Sequence, residues 1–179
     1  GKLQAGKKNL RVAAEHIEKM LGDEKYYAQV DEYAKMLSQK EHIYLLGKGQ
    51  NLQIIKEAMV KIIEGSYVHA HAIAAGDLKH YAITLMETGT CIVALLANDD
   101  VKNDVLNAVH EVAARGAEVF GVAPEPQASF VQFLQTPDTG ETSALSAIVP
   151  LQLLAYRMAV ALGHNVDKPR NIAKSVTVK

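Results

Sequence analysis

A carboxylate, an ammonium and several imidazoles lie close together in one short stretch of the chain. The seventeen residues from Glu64 to His80 also contain His69, His71 and Lys79, separated mainly by alanine and glycine. Carboxylates and imidazoles are the side chains that most often act as general acids and bases. No carboxylate or cysteine accompanies the histidines at a spacing typical of a zinc site, so we expect no metal here. The stretch is therefore interpreted as a site for proton transfer.

The residues before Glu64 predict a strand followed by a helix. The apolar run 43–46 is typical of a buried strand, and the Gly-Lys-Gly run after it indicates a tight turn. Between Ile55 and Ile63, apolar residues recur at steps of three and four, which places them on one helix face. Glu64 should therefore stand at the C-terminal end of that helix. We expect the small, histidine-bearing residues after it to form a loop.

Alternating strand and helix patterns cover the remainder of the chain. The sequence predicts further helices over residues 9–21, 26–37, 98–116 and 144–162, and further strands over residues 91–97, 118–123 and 130–134. Strands that alternate with helices favour a parallel sheet with right-handed crossovers. We therefore predict an α/β fold, a flavodoxin-like, doubly wound three-layer αβα sandwich with four to five parallel strands. Two helices within residues 1–40 form a leader that packs on the domain of residues 41–179.

The composition argues against several classes of partner and location. A formal net charge of −1 gives no electrostatic basis for binding nucleic acid or an anionic membrane. Serine, proline, glutamine and arginine interrupt the apolar residues 144–162, which favours a core or interface helix over a membrane span. Cys91, the one cysteine of the sequence, opens an apolar strand and is best explained as a small buried hydrophobe. Because no intrachain disulfide is possible and no apolar segment follows Lys8, we expect a cytoplasmic protein.

The turn from Gly47 to Gly49 invites comparison with a dinucleotide-binding loop. The third glycine of that motif is absent and no acidic residue ends the second predicted strand, so we reject a nucleotide cofactor. Backbone N–H groups at such a strand-to-helix turn can still bind a phosphate. A simple tight turn remains the better explanation of the two glycines.

Three separated motifs resemble the isomerase part of the glucosamine-6-phosphate synthase family. They are EGSYVHA and AAGDLKH in the stretch 64–80, VPLQLLAY at residues 149–156, and DKPRNIAKSVTV at residues 167–178. They occur in the same order as in that family and cover most of the chain. What they resemble is the second of the two sugar isomerase (SIS) domains of that enzyme.

This resemblance implies roles for individual residues. Glu64 aligns with the glutamate that moves a proton between C1 and C2 of the open-chain sugar, and His80 with the histidine that opens the sugar ring. In the family this histidine reaches into the site of the neighbouring subunit. Lys174 aligns with a lysine near the sugar carbonyl, where an amine can polarise the carbonyl or condense with it. The resemblance also implies that Ala173 and Lys174 contact the substrate.

The sequence departs from the family pattern at positions near the predicted acid–base residues. The Gly-Pro pair that follows the histidine in the family is replaced by Tyr81-Ala82, which changes the backbone freedom just after His80. His71 stands where the family has a glutamate.

The resemblance implies a part of an enzyme that joins glutamine-derived ammonia to fructose 6-phosphate and isomerises the product to glucosamine 6-phosphate. That half-reaction needs no metal or organic cofactor. Its implied partners are upstream SIS and glutaminase domains and a second copy of the chain in a homodimer. No Ser/Thr-rich phosphate loop follows the first strand, so we expect this chain to fold alone without turning over substrate. The alternatives are a stand-alone SIS module that binds a sugar phosphate as a regulator, and a related sugar-phosphate isomerase or deglycase.

Overall fold

A parallel sheet lies at the centre of the protein. The structure is a computed structural model that describes residues 2–171. Five strands occur in this part of the chain: β1 (His42–Gly47), β2 (His69–Ala74), β3 (Cys91–Leu95), β4 (Glu118–Ala123) and β5 (Phe130–Gln135). All neighbouring strands are parallel and their spatial order is β2-β1-β3-β4-β5.

Helices cover both faces of this sheet. Among the described residues they are α1 (Lys2–Leu21), α2 (Glu24–Leu37), α3 (Gln50–Ser66), α4 (Lys102–Ala113) and α5 (Ser143–Ala161). The helices α2, α3 and α5 share one buried core with one face of the sheet, and α4 shares a second core with the other face. Successive strand residues point to opposite faces, which is why Leu45 belongs to the first core and Leu46 to the second. The predicted three-layer α/β sandwich is confirmed.

The second leader helix contributes to the first core. Tyr33 of α2 is fully buried, its hydroxyl donates to the Gly121 carbonyl of β4 at 3.1 Å, and its ring meets Phe120 edge-on at 5.1 Å. Burial raises the pKa of Tyr33 well above its usual value. An ion pair between Asp31 and Arg157 joins α2 to α5. The helix α2 is therefore held by apolar packing, a buried hydrogen bond and an ion pair.

The residues after α3 form a strand, so the predicted loop over residues 65–80 is wrong for its first part. β2 pairs with β1 in register from His42 opposite His69 to Gly47 opposite Ala74. Its sequence, HAHAIA, is rich in alanine, which is depleted in strands, and pairing with β1 outweighs that preference. A second difference is the start of α1, which begins at Lys2 instead of residue 9.

The long apolar helix α5 lies against the core. Within residues 2–171 it is the one helix long and apolar enough to cross a membrane by length and composition. Leu151, Leu154 and Met158 are fully buried against the first core, as expected of a core helix. Its outer side carries Tyr156 and Val160, which are 47% and 44% exposed.

Candidate active site

Glu64 lies in the last turn of α3, at the amino-terminal edge of the sheet. The helix starts beyond the carboxyl end of β1 and runs back antiparallel to it, so its final turn precedes β2. Tyr67 ends the helix in a left-handed conformation with a φ of 59°, and its N–H donates to the Ile63 carbonyl at 3.1 Å. The prediction that Glu64 stands at the C-terminal end of a helix is confirmed.

Glu64 is part of a row of charged side chains on one face of α3. Lys61 Nζ donates to Glu64 Oε2 at 2.8 Å and lies 3.7 Å from Glu57 Oε1. The hydrogen bond to Glu64 is the main reason why the pKa of Lys61 is raised. Glu57 and Lys61 were not among the site residues predicted from the sequence. Their steps of four and three residues toward Glu64 were the available signal, because such steps place side chains on one helix face.

A cleft of about 350 Å³ opens beside the Lys61–Glu64 ion pair. Its other walls are Tyr156 and neighbouring alanines of α5, together with Val166 and Pro169 of the segment that follows α5. A carboxylate and an ammonium at the rim of a mainly apolar cleft can hold a small ligand and move a proton on it. The arrangement therefore offers acid–base chemistry at one end of α3.

The segment after α5 reaches the end of α3. The Arg170 guanidinium lies over the Tyr67 ring, 4.0 Å from its centroid, and the Arg170 backbone N–H donates to the Tyr67 hydroxyl at 2.8 Å. Lys174 and Ala173, the predicted tail residues of the site, lie outside the described residues. Arg170 precedes Lys174 by four positions in the sequence.

His80 lies away from Glu64 within one chain. It ends a short 3₁₀ segment, Leu78–His80, that follows the carboxyl end of β2, whereas Glu64 precedes the amino end of that strand. A strand rises about 3.3 Å per residue, so the two ends of β2 are roughly 17 Å apart. The structure therefore does not bring Glu64 and His80 into one intrachain site, and the His80 side chain is exposed.

Two of the departures from the family pattern contact each other. His71 Nε2 lies 3.5 Å from the Tyr81 hydroxyl, and the two rings are 6.5 Å apart at their centroids. The Tyr44 ring of β1 meets the His71 ring edge-on, with their centroids 6.4 Å apart. The next residue, Ala82, is buried. These contacts hold the 3₁₀ segment that carries His80 against the edge of the sheet.

The carboxyl edge of the sheet has a different set of polar contacts. Lys48, in the turn after β1, forms an ion pair with Asp104 of α4. Asn51, in the first turn of α3, donates to Asp99 at 3.3 Å. These residues therefore interact with one another across the edge where parallel α/β sheets usually bind ligands. Within residues 2–171, no group of three or more potential ligand side chains is arranged to hold a metal ion.

The fold is a parallel sheet of order β2-β1-β3-β4-β5 between two helical layers, with an acid–base cluster at the end of α3. This architecture places the chain among the three-layer α/β domains. The family model described as "SIS domain" matches residues 36–162. The chain belongs to the SIS domain family.

Curated relatives are more specific. The chain is 36% identical over 176 residues to the glutamine–fructose-6-phosphate aminotransferase (isomerizing) of Escherichia coli O157:H7, a match that covers 95% of this chain and 28% of that protein. It is 42% identical over 142 residues to the protein of that name from Caldanaerobacter subterraneus subsp. tengcongensis, which covers 76% of this chain and 23% of the relative. The chain thus spans about a quarter of the length of these relatives.

A solved structure agrees with these relatives. The C-terminal domain of glucosamine-fructose-6-phosphate aminotransferase from Francisella tularensis superimposes with a TM-score of 0.78 at 28% identity. That match covers 90% of this chain and 46% of the solved one. The resemblance drawn from the sequence motifs is therefore confirmed.

Proposed function

We propose that this chain is the C-terminal SIS domain of an isomerising glutamine–fructose-6-phosphate aminotransferase. In this role it supplies acid–base residues for the conversion of fructose 6-phosphate and ammonia to glucosamine 6-phosphate. The observation that carries the proposal is the Lys61–Glu64 pair at the end of α3, beside a cleft that the segment leading to Lys174 also borders.

Glu64 moves the proton in the isomerisation. Ammonia condenses with the C2 carbonyl of fructose 6-phosphate, releasing water and leaving an imine at C2. The Glu64 carboxylate takes a proton from C1, and the electrons of the C–H bond form a C1–C2 double bond while the imine nitrogen is protonated. Return of a proton to C2, with loss of the C1 hydroxyl proton, gives the C1 aldehyde and the C2 amine. One base that serves both carbon atoms meets this need.

Lys61 supports Glu64 in this reaction. The C-terminal end of a helix carries a partial negative charge, which disfavours a carboxylate there. The Lys61 ammonium, 2.8 Å from Glu64, offsets that charge and fixes the orientation of the carboxylate. Lys174, outside the described residues, polarises the sugar carbonyl or condenses with it, and Ala173 contacts the sugar beside it.

The remaining parts of the site come from other units. His80 lies beyond the far end of β2, which fits a role in the site of the partner subunit of a homodimer. At the carboxyl edge Lys48 is paired with Asp104, which supports the proposal that an upstream SIS domain holds the phosphate. A glutaminase domain supplies ammonia, and the complete protein works in the cytoplasm.

Calorimetry tests whether this chain alone binds the sugar phosphates. Titration with fructose 6-phosphate and with glucosamine 6-phosphate should give no binding tighter than about 1 mM, a free energy of only about −4 kcal/mol. The chain should also form no glucosamine 6-phosphate from fructose 6-phosphate and ammonia. Tight binding without turnover would instead identify a regulator, and turnover by the chain alone would identify a complete isomerase or deglycase.

A chimera tests the positive claim. This chain replaces the matching 28% of the Escherichia coli O157:H7 relative. The chimera should form glucosamine 6-phosphate from fructose 6-phosphate and glutamine, whereas the relative truncated at the same point should not. A folded chimera that binds fructose 6-phosphate but never forms product would contradict the proposed function.

A further inference from the structure

Tyr67 adopts a backbone conformation that its residue type rarely takes. It ends α3 with φ 59° and ψ 12°, in the left-handed region. Glycine is the usual residue at this position of a helix end, and asparagine is the next most tolerant. A large aromatic residue at such a point calls for an explanation from its side chain.

The Tyr67 side chain contacts the segment that follows α5 in several ways. Its ring lies 4.6 Å from the His164 ring, and the Arg170 guanidinium covers it at 4.0 Å. Its hydroxyl accepts the Arg170 backbone N–H at 2.8 Å. An aromatic face attracts a guanidinium, and a phenol oxygen accepts an amide proton, so one side chain binds both the backbone and the side chain of Arg170.

In the sequence, each partner of the Tyr67–Arg170 contact is close to a residue proposed for the chemistry. Tyr67 follows Glu64 by three positions, and Arg170 precedes Lys174 by four. Four residues span at most about 14 Å, so fixing Arg170 limits how far Lys174 can lie from the end of α3.

We propose that Tyr67 is a positioning residue: its two contacts with Arg170, here called the clasp, hold the segment that follows α5 at the Glu64 end of α3. The purpose of the clasp rests on the proposed function, whereas the clasp itself can be tested without any sugar. An aromatic residue stands at a position that favours glycine because only a ring with a hydroxyl makes both contacts to Arg170.

Variants of this chain separate the clasp from the stability of the fold. Tyr67→Phe keeps the ring and removes the hydrogen-bond acceptor, while Tyr67→Asn removes both contacts and suits the left-handed backbone better. Tyr81→Phe is the matched control, because Tyr81 is 52% exposed and its hydroxyl lies 3.5 Å from His71 of β2. All variants should keep the thermal unfolding midpoint within a few degrees of the parent chain.

Amide hydrogen exchange and trypsin report on Arg170 directly. Exchange of the Arg170 amide should be roughly 3- to 10-fold faster in Tyr67→Phe, as expected for loss of one hydrogen bond. Trypsin should cut after Arg170 at least about 10-fold faster in Tyr67→Asn, because both the hydrogen bond and the guanidinium contact are lost. Tyr81→Phe should change neither rate. Equal rates in the parent chain and Tyr67→Asn would overturn the proposal.

A cross-linking measurement tests whether Tyr67 positions the segment after α5 near Glu64. In the double variant Glu64→Cys and Lys174→Cys, a short thiol cross-linker should join the two positions, and adding Tyr67→Asn should slow this several-fold. Cys91 is buried and its pKa is raised to about 12, so it should not compete for the reagent. A rate that does not depend on Tyr67 would show that the clasp does not position the segment. A chimera without activity leaves these readouts unaffected, so the proposed function and the clasp can fail separately.

Discussion

Ion pairs at the two ends of α3 resemble each other in exposure and differ in what surrounds them. Lys48 and Asp104, near the start of the helix, have side chains that are 37% and 51% exposed, and Lys61 and Glu64, near its end, are 41% and 40% exposed. The first pair joins the turn after β1 to α4. The second borders a mainly apolar cleft and the segment after α5. Exposure alone therefore does not distinguish a structural ion pair from a candidate catalytic one, whereas the neighbouring groups do.

The two ion pairs also lie at opposite edges of the sheet. Parallel α/β proteins usually bind ligands at the carboxyl edge, where strand order reverses. Here that edge, between β1 and β3, is where Lys48 pairs with Asp104, and the acid–base cluster lies at the opposite edge instead. We infer that this domain supplies a base to a site whose phosphate-binding part belongs to another domain.

The largest effect should come from removing the base at the end of α3. In the chimera with the Escherichia coli relative, Glu64→Gln keeps the size of the side chain and removes its basicity. The rate of proton exchange at C1 should fall by about 10²–10⁴-fold, the usual cost of losing a positioned general base. Lys48→Met, at the other end of the helix, is the control and should change the rate less than about 3-fold, since it removes only an exposed ion pair.

Deuterium incorporation at C1 of fructose 6-phosphate measures this rate without the need for complete turnover. Binding of fructose 6-phosphate should barely change in Glu64→Gln, because the proposed phosphate site belongs to another domain. Wild-type exchange in Glu64→Gln would remove Glu64 from the mechanism. A comparable loss in Lys48→Met would abolish the distinction between the two ends of α3.

The next largest effect should be complementation between subunits, because Glu64 and His80 lie far apart within one chain. If His80 completes the site of the partner subunit, chimeras carrying Glu64→Gln and His80→Ala should each be nearly inactive. Mixing and reassociating the two should restore about a quarter of the activity, because half of the dimers are mixed and each of these has one intact site. Mixing that restores no activity while mixed dimers form would place both residues in one subunit's site.

The sheet could be predicted largely because its central strands are continuous apolar runs. β3 and β4 are buried on both faces, so their apolar residues mark them directly in the sequence. β2 lies at the edge and its sequence, HAHAIA, contains Ile73 as its one large aliphatic residue, so it has no continuous apolar run. Only its register with β1 makes it a strand, and that pairing is a property of the folded chain.

The site was predictable to the extent that it is local. Lys61 could have been found from Glu64 alone, since residues three apart on a helix are neighbours. The contact of Tyr67 with Arg170 joins residues 103 positions apart and depends on how α5 packs on α3. The contact between His71 and Tyr81 follows from β2, which the sequence did not indicate.

The smallest effect should be on stability, where the two ends of α3 should behave alike. Lys61→Met and Lys48→Met should each lower the free energy of unfolding by less than about 1 kcal/mol at pH 7, because exposed ion pairs contribute little. The hydrogen bond to Glu64 raises the pKa of Lys61 in the folded chain. The contribution of the Lys61–Glu64 pair to stability is therefore fully present below the unfolded pKa of about 10.4 and is lost as the pH rises through the higher folded pKa.

Urea unfolding at pH 7 and at pH 11 measures this pH dependence. The gap between the parent chain and Lys61→Met should shrink at pH 11, whereas alkaline destabilisation from buried Cys91 and Tyr33 affects both chains equally. A loss of several kcal/mol in Lys61→Met alone would show that this pair is mainly structural, and the contrast between the two ends of α3 would then rest on stability instead of chemistry.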